Sequence, residues 1–441
     1  MSKPRVLFIC NQPFLTTGNE KTYLSLFQGF ENAEVAQLYF NNTYTDTEQF
    51  TNYFRITDFD ILLNIVTFGI IKIKGKPSNK GTQNSSNKRS TGVNKVPMLF
   101  KKIIRNTIRS FFKVTKCENF NDWIEGFKPT VIFFIGSNYT FSYNLLKEIS
   151  SKYHIPYFIY FTDDYFIYNK GNNYIEHFFH NQFLNKSVPV VEKSEELFVI
   201  SPKMNSEYRS MFNKNCTILI NAVDSKEQNP LKVPSSKIIN FRYFGWLHSD
   251  RLSSLLYLAE SLKFINQNTD YHCKLEIYTL SHQDKIKLND SLKEIVFIHE
   301  PLVGKDYDEK LKTSEFLVHA ESFDPAYSSS TRLSISTKIP EYLVSNRCVV
   351  AVGPKFLASI AIFEDYNLGI CFTEKNNVSE NAKKIITILN DDQTYIEYCK
   401  KSLTFHQEVF DSIEMRNRLR EKLTNISIRS EQVDLNQYLV S

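Results

Sequence analysis

Glycine is scarce, with 13 in 441 residues, about 3% against a usual ~7%. Such a chain has little material for glycine-rich phosphate loops. No GxGxxG occurs in it, which disfavours a nicotinamide-dependent dehydrogenase. Long apolar runs are also lacking. Ile61–Ile71 is short and interrupted by Asn64 and Gly69, well below the ~18–20 residues of a membrane span. Near the N-terminus, Lys3 and Arg5 are followed only by the apolar run Val6–Cys10. That is too short for a secretory core of ~7–15 residues, so the run reads as a first buried strand. The seven cysteines (Cys10, Cys117, Cys216, Cys273, Cys348, Cys371, Cys399) are odd in number and never spaced CxxC. A reduced, cytoplasmic protein without a metal site is expected.

One absence is local. Between Asp60 and Glu118 there is no acidic residue, while Lys72–Lys116 holds 13 Lys and Arg. The rest of the chain has 40 basic against 48 acidic residues, net −8, so the overall +5 hides a basic block in an acidic protein. That asymmetry suggests an anionic partner. Within the block, 75–94 is polar and reads as a loop, and 97–116 reads as an amphipathic helix with Pro97 at its first turn. At ~100° per residue, Lys102, Arg105, Arg109, Lys113 and Lys116 share an arc of ~80°. Leu99, Phe100, Ile103, Ile104, Ile108, Phe111 and Val114 lie opposite. Three readings are open: a surface helix packed on the core, an interfacial helix on an anionic membrane, or a nucleic-acid contact. Like charges at i,i+3 and i,i+4 repel, so a one-sign face is an odd choice for water alone; the surface-helix and membrane readings stand level, and no nucleic acid is expected.

Hydrophobic residues at 42% and charged residues at 23% are ordinary for a globular chain, and the length allows two or three domains. Strand-like runs alternate with helical patterns, the signature of parallel-sheet α/β domains. In the first half, Arg5–Cys10, Val35–Phe40, Ile61–Val66, Val131–Gly136, Tyr157–Phe161, Leu197–Ser201 and Thr217–Ile220 read as strands. Thr22–Phe30 and Tyr143–Tyr153 read as helices. After a linker at 229–237 come strands Asn240–Gly245, Lys274–Tyr278, Val296–His299, Phe316–His319, Cys348–Val352 and Gly369–Phe372. Helices Asp250–Lys263, Tyr307–Thr313, Pro340–Ser345 and Val378–Leu389 are interleaved with them. The expected fold is two Rossmann-like domains, 1–228 and 229–405, with ligands in a cleft at the strand ends. A last helix near 406–425 is expected to cross back to the first domain, followed by a tail at 426–441.

Three segments are candidates for chemistry. Tyr243-Phe244-Gly245-Trp246-Leu247, then Arg251, reads as strand end, turn and a basic residue at a helix start. The turn would let a ligand reach backbone N–H groups, and Arg251 could fork onto a phosphate. Ser336-Thr337-Lys338-Ile339-Pro340-Glu341 gathers hydroxyls and a lysine before a helix, which suits a diphosphate or, equally, a capped helix. Glu341 could accept from sugar hydroxyls. In the first half, Asp163 and Asp164 follow a strand, where paired carboxylates could bind sugar hydroxyls or act as a base, or simply form a turn.

Several segments, in order, resemble the retaining "group 1" (family 4) glycosyltransferases of GT-B architecture. They are Arg5–Cys10 with Gly18-Asn19-Glu20; Phe198 through Met204; Ile220-Asn221-Ala222-Val223-Asp224; Tyr243-Phe244-Gly245; and Ser336 through Leu343. The resemblance implies a nucleotide-diphosphate sugar as substrate, with no separate cofactor, held mainly by the second domain. Arg251 and Lys338 match the family's phosphate-binding pair, Glu341 the ribose-binding glutamate, and Gly18 the N-terminal loop glycine. The pattern departs from the family at Leu333, where a glutamate usually stands eight before Glu341; either Glu321, a candidate catalytic residue twenty before Glu341, serves in a lengthened loop, or the role is absent. Asn346 replaces the usual glycine after the helix. The expected function is transfer of a sugar to a lipid-linked or surface-glycan acceptor, with residues 97–116 on the inner membrane face. The alternatives are a nucleotide-sugar epimerase, an inactive transferase-like subunit, or a basic membrane- or nucleic-acid-binding module.

Overall fold

The computed structural model describes residues 3–15, 20–67, 109, 112–166, 174–220, 229–281, 288–375 and 377–440. Two compact units emerge. The first comprises residues 1–199, 207–217 and 416–441, and the second 200–206 and 218–415.

The first unit is built on strands β1 (Val6–Cys10), β2 (Val35–Tyr39), β3 (Asn52–Arg55), β4 (Val131–Ile135), β5 (Tyr157–Phe161), β6 (Leu197–Val199) and β7 (Cys216–Ile218). Their order is β3-β2-β1-β4-β5-β6-β7. β1 pairs in parallel with both β2 and β4. The strands are buried on both faces, as a sheet covered by helices requires. Aromatic side chains fill the space: Phe8 stacks on Phe14 at 4.7 Å, and Phe133 meets Phe198 at 5.4 Å. Much of the high aromatic content is thus core.

Its helices include α1 (Glu20–Leu26), α2 (Asp58–Val66), α3 (Glu118–Phe127), α4 (Thr140–Tyr153) and α5 (Tyr174–Glu192). α2 occupies the place where a strand was expected at Ile61–Val66. The cause is a capping box: Asp60 N donates to Thr57 Oγ1, and Asp60 Oδ2 accepts from Thr57 N at 2.8 Å. The strand Asn52–Arg55, four residues long, was not expected. Helix does not run on through residues 112–116: Arg109 is helical and Phe112 N–H donates to its carbonyl at 3.2 Å, but Lys113 is extended and Val114–Lys116 is one 3₁₀ turn. The remainder of the expected basic helix, apart from Arg109, lies outside the described residues.

In the second unit, β8 (Ile238–Phe244), β9 (His272–Tyr278), β10 (Val296–His299), β11 (Phe316–Ala320), β12 (Cys348–Val352) and β13 (Gly369–Phe372) form a parallel sheet ordered β10-β9-β8-β11-β12-β13. Helices α6 (Arg251–Asn268), α7 (Lys305–Lys312), α8 (Lys338–Val344), α9 (Val378–Leu389) and α10 (Asp392–Val409) accompany it. Leu255, Leu258, Leu262 and Ile265 of α6 recur at helical spacing and are fully buried with Phe241, Leu275 and Val318 of the sheet.

The last helix, α11 (Ser412–Val440), runs through the residues expected to be a tail. From Arg416 onward it belongs to the first unit, where Arg420 pairs with Glu34 at 2.7 Å and Ser427 bonds Thr130 at 2.8 Å.

Candidate functional site

Each sheet has one topological switch point, where the strand order reverses: β1/β4 in the first unit and β8/β11 in the second. Loops leaving the carboxyl ends of such strands diverge and leave a crevice. The residues there define the candidate site of each unit.

In the second unit, Arg251 opens α6 after β8, and Glu321 follows the last residue of β11. Because β8 and β11 are neighbours, the two side chains meet: Arg251 Nη2 to Glu321 Oε1 at 2.9 Å and Oε2 at 3.1 Å, and Nε to Oε2 at 3.2 Å. Glu321 is 4% exposed. Its backbone is fastened as well, with its N–H donating to Val352 O and its carbonyl accepting from Ser254 Oγ. A Cβ at Gly353 would stand 3.1 Å from Glu321 Cβ, and Gly353 has φ +151°, so glycine is required there. Burial pushes the Glu321 carboxyl up, against the pull of Arg251. His319, two residues earlier, has its Nε2 3.7 Å from Glu321 Oε1, with no hydrogen-bond partner among the described residues. Burial, then the Arg251 charge, lowers its pKa to about 3, so the ring is neutral. Glu321, a candidate catalytic carboxylate in the sequence, directs both oxygens to Arg251.

Tyr243 extends the cluster from β8. Its hydroxyl donates to Trp246 O at 2.8 Å, and burial pushes its pKa up to about 12. The next ring, Phe244, stands edge-on to Tyr307 at 5.0 Å. The Tyr307 hydroxyl donates to Glu341 Oε2 at 2.5 Å. Lys338 lies over the Tyr307 ring at 4.0 Å and bonds the same Glu341 oxygen at 3.2 Å. Lys338, Glu341 and Arg251, all singled out in the sequence, are thereby joined to the end of β8 through Tyr243 and Phe244 of the same motif and through Tyr307, which was not singled out. A lone tyrosine in Lys305–Lys312 carries no signal of its own.

Other expectations change. The Gly245 N–H donates to Tyr278 O and that of Leu247 to Ser281 Oγ, so neither faces a ligand. α8 begins at Lys338, two residues before the expected start at Pro340. Ser336 Oγ accepts from Lys338 N at 3.3 Å, and Thr337, at the N-cap, makes no side-chain capping bond. Leu333 is fully buried, and its carbonyl accepts from Ser201 Oγ, so this position is core. Asn346 takes φ +55°, the left-handed geometry for which glycine is usual, and its amide is anchored on Asn229 O. Gly18 lies outside the described residues.

In the first unit, a cavity of about 360 Å³ opens at the β1/β4 switch point. Asn11 and Gln12 line it after β1, Gly136 through Tyr139 after β4, and Thr162 and Asp163 after β5. A Cβ on Gly136 would lie 2.4 Å from the Phe161 ring, so no larger residue fits. Asp163 and Asp164 do not act as a pair. Asp163 is exposed and lines the cavity, whereas Asp164 is 5% exposed and accepts from the Tyr208 hydroxyl at 3.4 Å. Arg109 also lines the cavity. Its Nε donates to Asp58 Oδ1 at 2.7 Å, and its guanidinium stands 5.6 Å from the Phe141 ring. It is 5% exposed, which removes it from the expected lipid-facing set. Lys113 and Lys116 are exposed; Lys102 and Arg105 are outside the described residues.

The sequence matches no family model and no curated protein. Solved structures share the fold. An α,α-trehalose 6-phosphate synthase from Burkholderia multivorans is similar with a TM-score of 0.59 at 8% identity, over 98% of this chain and 99% of that one. An E. coli trehalose-6-phosphate structure bound with UDP-2-fluoro glucose gives 0.56 at 8% identity, over 95% and 98%. TarM gives 0.56 at 14% identity, over 97% and 99%. At such identities the likeness is one of fold, and the fold is GT-B: two parallel-sheet α/β units. Among the described residues no helix is long and apolar enough to cross a membrane.

Proposed function

We propose that this chain is a glycosyltransferase, moving a sugar from a nucleotide-diphosphate donor to a lipid-linked or surface-polysaccharide acceptor at the membrane face. The observation that carries the reading is the cluster at the β8/β11 switch point, where Arg251, Lys338 and Glu341 converge with Tyr243 and Tyr307. Glu321 occupies the Nε–Nη2 edge of the Arg251 guanidinium and Tyr243 is a further hydrogen-bond partner, so a diphosphate oxygen would be met by the N–H groups these two do not use. Lys338 adds a second positive charge, and Glu341 accepts from ribose hydroxyls. These cations stabilise the charge that develops on the leaving diphosphate. Asp163 and the amides of Asn11, Gln12 and Asn138 offer polar partners to an acceptor in the first unit. Retention of anomeric configuration, as in family 4, is part of the proposal.

Thermal unfolding against UDP, GDP, ADP and CMP sugars tests it. A donor at ~100 times its Kd adds about 2.7 kcal/mol by mass action, hence a rise of roughly 5–10 °C in the unit that binds it. Lys338→Ala is expected to weaken that response. No shift with any nucleotide sugar would overturn the reading. Product NMR with the responding donor then reads the anomeric outcome.

A further inference from the structure

The first unit holds another cavity, of about 590 Å³, at the opposite end of its sheet. It opens beside Tyr157, the first residue of β5, whereas the switch-point cavity is lined by Thr162 and Asp163, which follow that strand. The five residues of β5, roughly 16 Å of chain, stand between the two.

Hydrogen bonds and ion pairs fix its walls. In the turn from α4 to β5, Ser150 Oγ donates to Ile155 O at 2.8 Å. Ahead of β6, Glu195 N–H donates to Tyr157 O at 2.9 Å. α11 supplies the last wall, held by Lys422 to Glu196 at 2.6 Å and by Thr130 Oγ1 to Ser427 Oγ at 2.8 Å. The lining divides by chemistry. Ile155, Tyr157 and Ile426 are buried and give the cavity apolar surface. Lys147, Lys193 and Arg429 line it as well and are exposed. Against these three cations stands one carboxylate, Glu195, which pairs with Arg429 at 3.5 Å. Lys147 and Lys193 have no carboxylate partner among the described residues.

We infer that this cavity is a second ligand site, which takes a small soluble anion of amphiphilic build: a phosphate or carboxylate on an aryl or short alkyl body. The body covers Ile155, Tyr157 and Ile426, and the head meets Lys147 and Lys193. Its volume is that of a small-molecule site, ~300–1,000 Å³. Membrane attachment would need exposed apolar side chains around the opening. None of the large exposed hydrophobic residues lies in the described segments that line it. The occupant is neither sugar donor nor acceptor. It fastens α11, the segment by which the chain returns to the first unit, onto α4 and β5.

Calorimetric titration of the full chain is the test, with 1-naphthyl phosphate and octyl phosphate as probes. 1-Naphthylmethanol supplies the body without the charge, and inorganic phosphate the head alone. One or both amphiphilic phosphates are expected to bind and to raise the melting temperature by mass action. The neutral alcohol and inorganic phosphate should bind about tenfold more weakly or worse. Lys147→Glu with Lys193→Glu is expected to lose about tenfold or more in affinity, and Ser151→Trp, at an exposed lining position, to fill the cavity and abolish binding. Both variants should keep the wild-type nucleotide-sugar response. Failure of both probes to bind the wild type overturns the inference, as does equal binding of the neutral alcohol. So does wild-type affinity in either variant. Displacement of the probe by a nucleotide sugar, or its loss in Lys338→Ala, would place it in the donor site and overturn the inference. Binding to phosphatidic acid vesicles in place of the soluble probes overturns it too. If the double variant melts well below the wild type, Ser151→Trp decides. The nucleotide-sugar response is measured separately, so the transferase reading and this site fail independently.

Discussion

Replacing Glu321 by alanine removes one member of a buried ion pair. The Arg251 side chain is 18% exposed and that of Glu321 6%, so neither charge is well hydrated. A guanidinium left without its carboxylate in such a place costs about 3–5 kcal/mol. The partial exposure of Arg251 favours the lower end of that range. In a unit of this size each kcal/mol shifts the melting temperature by about 2–4 °C, so a fall of roughly 6–12 °C is expected. Replacing both partners together, Arg251→Met with Glu321→Leu, should recover most of the loss, because the desolvation cost of two charges disappears along with their attraction. The chain has two tryptophans, Trp123 and Trp246. In a Trp123→Phe background, the fluorescence of Trp246, next to the cluster, reports urea unfolding of the second unit alone. A Glu321→Ala variant within about 1 kcal/mol of the wild type would refute the reasoning, and so would single changes that add without coupling in the double variant.

Two further outcomes follow from the same region. His319 is neutral when folded, with a pKa near 3, against 6.5 when unfolded. Between these values the unfolded state binds the extra proton, so stability falls as pH drops. From pH 7 to pH 5 the loss is about 2 kcal/mol, and His319→Gln should remove that part of the slope in urea titrations at each pH. Leu333→Glu puts a carboxylate at a fully buried position. Burial of a carboxylate with no polar partner should destabilise by more than about 3 kcal/mol, more than Leu333→Ala does, and soluble yield with circular dichroism checks the order.

Much of the fold could be read from sequence because parallel strands buried on both faces leave continuous apolar runs, as in Val131–Ile135 and Cys348–Val352. The same rule misplaced Ile61–Val66, where the apolar run was read before the Thr57–Asp60 box that starts a helix. Tyr174–Glu192 escaped notice because Pro189 and a weak amphipathic pattern break the usual signal. At the site, Arg251, Lys338 and Glu341 carry charge at helix starts and were legible. Tyr307 and His319 were not, since their roles depend on which strands are neighbours. The Arg251–Glu321 contact spans 70 positions and exists only because β8 lies beside β11. Asp163 and Asp164, adjacent in sequence, are parted by the turn after β5.

The bidentate Arg251–Glu321 contact also has an electrical meaning. A cation already answered by a carboxylate projects little beyond a dipole, whose field fades within a few ångströms in water. In the proposed donor site Arg251 would therefore act at contact, through the direction of its N–H bonds, and not by drawing anions from solution. The basic excess of the sequence lies elsewhere, in residues 68–108, with ten Lys and Arg and no acid. Ionic strength will therefore act far more on any attraction exerted by that run than on a contact made by Arg251.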